Sequence, residues 1–222
     1  MPTFTKQTLQ SEGNKILHYL KEHFKTLDYK DFDICKLGED KLGGYEPNDR
    51  IIYLSEDGFD ELSKKKNSKR FIDSFVMALC HEAGHASDEF LKHALFKTKQ
   101  KPFPGHGTTE RAQCEAFATF RSCQMILSLS NYPKSILGKN FTKGELDNLA
   151  NYTYANGYRI TDVEEKDLIS NNVIKSPLSP EESAGYYEDF ETALVQFNTM
   201  FGVYDLGNIS KLDNIRKNLT PK

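Results

Sequence analysis

The stretch Cys80-His81-Glu82-Ala83-Gly84-His85 constrains this chain more than any other. It carries the pattern His-Glu-x-x-His at the end of a run, Phe71-Ile72-Asp73-Ser74-Phe75-Val76-Met77-Ala78-Leu79, that reads as helix. Phe71, Phe75, Ala78 and Leu79 fall on one helical face, and Met77 widens the stripe. Residues four apart on a helix share a face, so His81 and His85 can aim both imidazoles at one point. Past Leu79 the neighbours are small: Ala83, Gly84, Ala86 and Ser87. Glycine inside a helix costs about 1 kcal/mol relative to alanine. Gly84 therefore predicts that another backbone passes close. The competing reading is a helix with two surface histidines and an ordinary glutamate.

Two imidazoles converging on one point suit a metal ion, and the chemistry of zinc fits best. Zinc takes nitrogen, sulfur or oxygen ligands at about 2 Å. Glu82, one position round from His81, reaches a water on the metal without joining the ligand set. A base there helps to make hydroxide near neutral pH. This is the spacing of a metallopeptidase centre.

A catalytic zinc usually has three protein ligands and a water. A third histidine shortly after the motif is absent, because position 88 is Asp88 and position 91 is Leu91. His93 would be carried away by a continuous helix and reads as a surface residue. Two glutamates lie in the next helical stretch, Thr109-Glu110-Arg111-Ala112-Gln113-Cys114-Glu115-Ala116-Phe117-Ala118-Thr119-Phe120. Glu110 sits in a first turn, where the helix dipole explains an acid. Glu115 sits mid-helix among Ala112, Ala116, Ala118 and Thr119, where a charge needs a partner. Those small residues would let this helix approach Ala83 and Gly84. The expectation is Glu115 as third ligand, with Glu110 as the alternative. An ordinary Arg111–Glu115 pair, worth a few tenths of a kcal/mol, is the plainer explanation.

Around this centre the pattern alternates between strand and helix early, then turns helical. Residues 5–27 read as a helix weakened at Gly13, residues 32–37 as a strand, and residues 43–49 as a turn cluster. Arg50 to Leu54 reads as a second strand, expected to lie beside the cleft and pair with an extended peptide. A polar loop with the basic run Lys64-Lys65-Lys66-Asn67-Ser68-Lys69-Arg70 leads into the metal helix, which is expected to run to about Phe96. Residues 101–107 break the pattern, and Thr108 is placed to cap the next helix, which runs through Leu127. Thr142-Lys143-Gly144-Glu145 and Thr161-Asp162-Val163-Glu164 have capping-box form. Ser179-Pro180 opens a further helix with Phe190, Ala193, Leu194, Phe197 and Phe201 on its apolar face, and residues 208–219 make a last short one. The expected fold class is α+β, mostly helical. One domain of residues 1–222 is expected, with a sheet-bearing N-terminal lobe (1–98) and a helical C-terminal lobe (99–222).

Composition removes several classes of function. With 38% hydrophobic and 27% charged residues the 222-residue chain is globular rather than disordered. A net charge of −3 gives no nucleic-acid footprint. No apolar run approaches the roughly 20 residues of a membrane helix, and the N-terminus lacks the apolar core of a secretory signal. The expectation is a cytoplasmic protein, or one exported by a non-classical route. Cys35, Cys80, Cys114 and Cys123 show no Cys-x-x-Cys spacing and read as reduced thiols. Cys80 and Cys114 flank proposed site residues and read as small buried side chains, with a sulfur ligand as the alternative.

The motif His81-Glu82-x-Gly84-His85-Ala86-x-Asp88-Glu89-Phe90, followed by Cys114-Glu115-Ala116-Phe117, resembles zincin metallopeptidases with a glutamate ligand. Within that group it is most similar to the anthrax lethal factor and Pro-Pro endopeptidase family. The preceding Gly44-Tyr45-x-Pro47-x-Asp49-Arg50-Ile51 is similar to the strand before the motif in antirestriction-type and ImmA/IrrE-type peptidase domains. The resemblance covers residues 43–125. It implies a zincin-like fold, Zn²⁺ as cofactor, Glu82 as general base and a protein or peptide substrate. In lethal-factor-like enzymes the ligand glutamate lies four residues before the Glu-Ala-Phe glutamate. That position here is Arg111, which cannot bind zinc. Either Glu115 is itself the ligand, or Glu110 reaches the metal. No tyrosine matches the family's position, which leaves His106, Tyr152, Tyr154 and Tyr158 as candidates for stabilising an oxyanion. A second class of function is a non-catalytic protein-binding module of antirepressor type on the same scaffold. Glu82 argues against it, since a pure binder has no need of that acid.

Overall fold

Helix α1 (Lys6–His23) starts where Thr5 Oγ1 accepts a hydrogen bond from Thr8 N at 3.2 Å. Its Leu9, Ile16, Leu17 and Leu20 are buried at helical spacing. The helix stops at His23, short of the expected residue 27, because Phe24 turns into extended backbone. The structure is a computed structural model and describes residues 4–37, 42–64, 68–87 and 109–154. The breaks and helices expected in residues 88–108 and 155–222 lie outside those residues.

Three strands follow: β1 (Asp31–Cys35), β2 (Gly43–Glu46) and β3 (Ile51–Ser55). They form one sheet in the order β1-β3-β2. β1 runs parallel to β3, with Phe32 opposite Ile52. β2 runs antiparallel to β3, with Gly43 opposite Leu54. Two expectations are corrected here. The glycines of the expected turn cluster lie in β2, and only residues 47–50 turn. Glycine has poor strand propensity in isolation, and here the ladder to β3 overrides it. Secondly, β3 is the central strand, with β1 on one side and β2 on the other. Both of its hydrogen-bonding edges are taken, so the Arg50–Leu54 segment cannot pair with an added peptide. Among the described residues, the strand with an open outer edge beside the motif helix is β2.

The free edge of β1 is closed by a side chain. Gln10 Nε2 donates to Phe32 O, and Gln10 Oε1 accepts from Ile34 N at 2.9 Å. One amide thus stands in for a neighbouring strand, which protects an edge that would otherwise invite pairing. Gln10→Leu would strip both partners from partly buried backbone. It is expected to cost about 1–3 kcal/mol, read as a lowered Tm. An unchanged Tm would show that water replaces the amide without loss.

The expected polar loop contains helix α2 (Glu56–Lys64). Ser55 Oγ accepts from Gly58 N at 3.1 Å, Glu56 and Asp57 occupy the first turn, and Phe59 is fully buried. A serine cap followed by two acids was the available sequence signal. One buried phenylalanine was too little periodicity to declare a helix.

Helix α3 (Ser68–Ala86) carries the motif. Phe71, Phe75, Val76 and Leu79 are buried, with Phe75 edge-on to Phe59 at 5.8 Å between ring centroids. α3 ends at Ala86, whose carbonyl accepts from Asp28 N at 3.1 Å, and Ser87 N donates to Gly84 O at 3.0 Å. The continuous helix expected to about Phe96 is broken at Ser87, which is in a turn, and residues 88–96 lie outside the described residues. Helix α4 (Thr109–Ser128) packs against α3, and a short 3-10 turn (Leu129–Asn131) follows it. Helix α5 spans residues 143–154. It opens on the capping box read from the sequence: Thr142 Oγ1 accepts from Glu145 N at 3.2 Å, and Glu145 Oε2 accepts from Thr142 N at 3.0 Å.

One buried cluster runs from Leu9 to Ala150, with Phe32, Phe59 and Phe75 among its largest fully buried side chains. The described structure is mostly helical with a small three-stranded sheet, the α+β class expected. Among the described residues no helix is long and apolar enough to cross a membrane.

Candidate metal centre

Gly84 decides how near the two site-bearing helices come. A Cβ on Gly84 would lie 2.5 Å from Ala118 O and 2.9 Å from Ala118 Cα. The close backbone expected from Gly84 is therefore that of α4. Gly84→Ala gains helix propensity worth about 1 kcal/mol, yet it drives a methyl group into main chain that cannot swing aside. Overpacking of this kind costs about 1–3 kcal/mol or more. The variant is expected to be less stable than the parent in thermal unfolding. A rise in Tm would show that α3 and α4 separate without penalty.

That approach brings three side chains together. His81 Nε2 lies 3.2 Å from His85 Nε2, and each lies 3.2 Å from Glu115 Oε2. The two rings stand at 90° with centroids 4.8 Å apart, so they meet at their edges. All three residues are buried, Glu115 at 1% exposure. Helical spacing supplies the two histidines from α3, and the small surface around Gly84 and Ala118 lets Glu115 reach them from α4.

Hydrogen bonding alone accounts poorly for such a triangle. A neutral imidazole has one N–H, and a carboxylate has none. If one Nε2 carries hydrogen, it cannot point well at both neighbours. If both carry it, the contact between the nitrogens opposes two donors. A cation between the three atoms takes one lone pair from each of them. The size also fits: corners of a tetrahedron about 2.0 Å from its centre stand about 3.3 Å apart. His81, His85 and Glu115 can thus hold a metal ion.

Glu110 lies in the first turn of α4, and its side chain is outside the described set. On a helix it is about 140° round and about 7.5 Å along the axis from Glu115. Arg111 lies one turn before Glu115, and its side chain is likewise not described. Among the described residues the one metal-capable group is His81, His85 and Glu115, and no cysteine belongs to it. Cys80, Cys114 and Cys123 are buried and free of disulfide. Burial, and then the neighbouring Cys123, pushes the Cys80 thiol far up, as suits a structural side chain.

Glu82 is 8% exposed, and its side chain rests against Gly43 at the start of β2. This contact with the sheet was not read from the sequence. The glycine pair Gly43-Gly44 is the available signal in the sequence, where it reads as a turn. Two of the tyrosine candidates, Tyr152 and Tyr154, are described. Tyr152 is exposed. Tyr154 lies by Cys123, about two turns along α4 from Glu115, and burial followed by Cys123 pushes its hydroxyl up to about 12. His93, His106 and Tyr158 lie outside the described residues.

No protein-family model, no curated protein and no solved structure matches this chain.

Proposed function

We propose that this chain is a zinc-dependent endopeptidase. The observation that carries the reading is the buried triangle of His81, His85 and Glu115, with a glutamate directly following the first histidine. The donor set of two imidazoles and one carboxylate suits zinc in a catalytic site, where a fourth position stays open. When bound there, zinc acidifies a water molecule and polarises the carbonyl to be attacked.

The rest of the chemistry falls to the chain's own residues. Glu82 is turned about 100° from His81 on the helix, so its carboxylate serves the open side rather than the ligand set. It accepts a proton from the attacking water as the oxygen bonds to the carbonyl carbon. It returns that proton to the leaving nitrogen as the carbon–nitrogen bond breaks. Its low exposure keeps bulk water from competing for the proton. The outer edge of β2 supplies main-chain partners for an extended peptide. The sequence resemblance to zincins with a glutamate ligand supports the peptidase reading; the family's ligand position falls on Arg111, so the choice of Glu115 rests on the triangle itself.

The substrate on this reading is a protein or peptide. The test is to treat a cell lysate with zinc-loaded wild type or with Glu82→Gln and to map new protein N-termini. New termini made by the wild type alone are the expected result. Identical sets from both proteins would remove the peptidase reading and favour the binding module.

A further inference from the structure

Gly43 does not owe its identity to backbone conformation. Among the described glycines only Gly138 is left-handed, at φ 81°, so φ permits any residue at position 43. Space forbids one. A Cβ on Gly43 would lie 2.9 Å from Glu82 Cγ, 3.0 Å from Glu82 Oε1 and 3.0 Å from Leu54 Cδ2. Leu54 is fully buried in the central strand and has nowhere to retreat. Gly43 is paired with that same residue in the ladder, so the strand cannot shift either. The side chain left to give way is that of Glu82. Gly44, the next residue of β2, has nothing within 4 Å of its own Cβ position.

We propose that Gly43 is a positioning residue for Glu82: by lacking a side chain, it lets the edge strand serve as the seat of the proton-carrying carboxylate. This rests on the peptidase reading above. The three atoms nearest a Cβ at position 43 belong to Glu82 and Leu54, not to the triangle. Substitution there should move the base and spare the metal group. The sheet fixes the seat through the Gly43–Leu54 pairing, and the helix fixes the root of the side chain at position 82. Together they hold a carboxylate that would otherwise sample several rotamers. Displacing a reacting group by about 1 Å can cost about 10²-fold in rate.

The test is a double-mutant cycle in the full chain loaded with zinc. Gly43→Ala is expected to lower Tm by about 3–10 °C. In a Glu82→Ala background, where the two Glu82 atoms it strikes are gone and only the Leu54 contact remains, the same change should lower Tm by less than half as much. Gly44→Ala is the control for placing alanine in this strand, and it should leave Tm nearly unchanged. Equal losses from Gly43→Ala in both backgrounds overturn the proposal, because the strand and Leu54 would then be what demands glycine. If Gly43→Ala folds only when Glu82 is also replaced, the proposal stands; if it folds in neither background, the proposal falls.

A second measurement separates positioning from mere structure. The probe is the peptide that the wild type selects from a mixed quenched-fluorescent library. Gly43→Ala should lower kcat about 10²-fold, keep KM within about twofold and retain full zinc. Added to Glu82→Gln, it should cost nothing more. Additive losses in the two variants would overturn the proposal. If the wild type cleaves no peptide in the library or protein in lysate, the peptidase reading fails by itself. The Tm cycle still decides whether Gly43 seats Glu82.

Discussion

Glu82→Gln is expected to lower turnover by about 10²–10⁴-fold while zinc content stays at the wild-type level. The amide matches the carboxylate in size and can occupy the same seat against Gly43. It cannot accept a proton from the attacking water. The atoms that could hold the metal belong to His81, His85 and Glu115, and none of them is altered. Folding should survive as well, because a neutral amide is cheaper to bury than a carboxylate at a site only 8% exposed. Elemental analysis, thermal unfolding and initial rates on one cleaved peptide measure the three quantities separately. Turnover near the wild-type rate would mean that the base lies elsewhere or that the centre is not a peptidase. Loss of zinc together with activity would mean that Glu82 helps to hold the metal.

The second large effect is expected from Glu115. Glu115→Ala removes the one carboxylate donor from the triangle and leaves the two imidazoles. Losing an outer partner of a metal ligand costs about 10–100-fold in affinity, and losing a ligand outright should cost more. The consequence appears in stability too, because an ion that binds only the folded chain raises Tm. At a free zinc concentration of about 100 times Kd the gain is about 2.7 kcal/mol. For a chain of this size that is a rise of about 5–10 °C in Tm. Wild type should show that rise on adding zinc and lose it with a chelator. His81→Ala and Glu115→Ala should show little of it. Glu110→Ala should behave as wild type, since Glu110 is on another part of the α4 surface from Glu115. The opposite pattern, with zinc response lost in Glu110→Ala and kept in Glu115→Ala, would remove Glu115 from the site.

What the sequence determined by itself was local. The four-residue interval between His81 and His85, set on a helix, is a property of one element and needs no tertiary contact. The same holds for the Thr142–Glu145 capping box and for the apolar spacing of α1 and α3, which are legible wherever the period is long enough to exceed the noise of single residues. Gly84 was also legible in part: its cost inside a helix implied a close neighbour, though not which one. Tertiary structure alone decided the rest. It brought Glu115 onto the histidines, because the approach of α3 to α4 at Gly84 and Ala118 joins residues about thirty positions apart. It made β3 the central strand and left β2 at the edge, since strand order depends on long-range pairing that alternation within one strand does not encode. It turned Gly43-Gly44 from an expected turn into the start of β2 and set Gly43 against the side chain of Glu82. Propensity measures what glycine prefers when nothing surrounds it. The choice at Gly43 was made by the space left between a buried leucine and a buried glutamate.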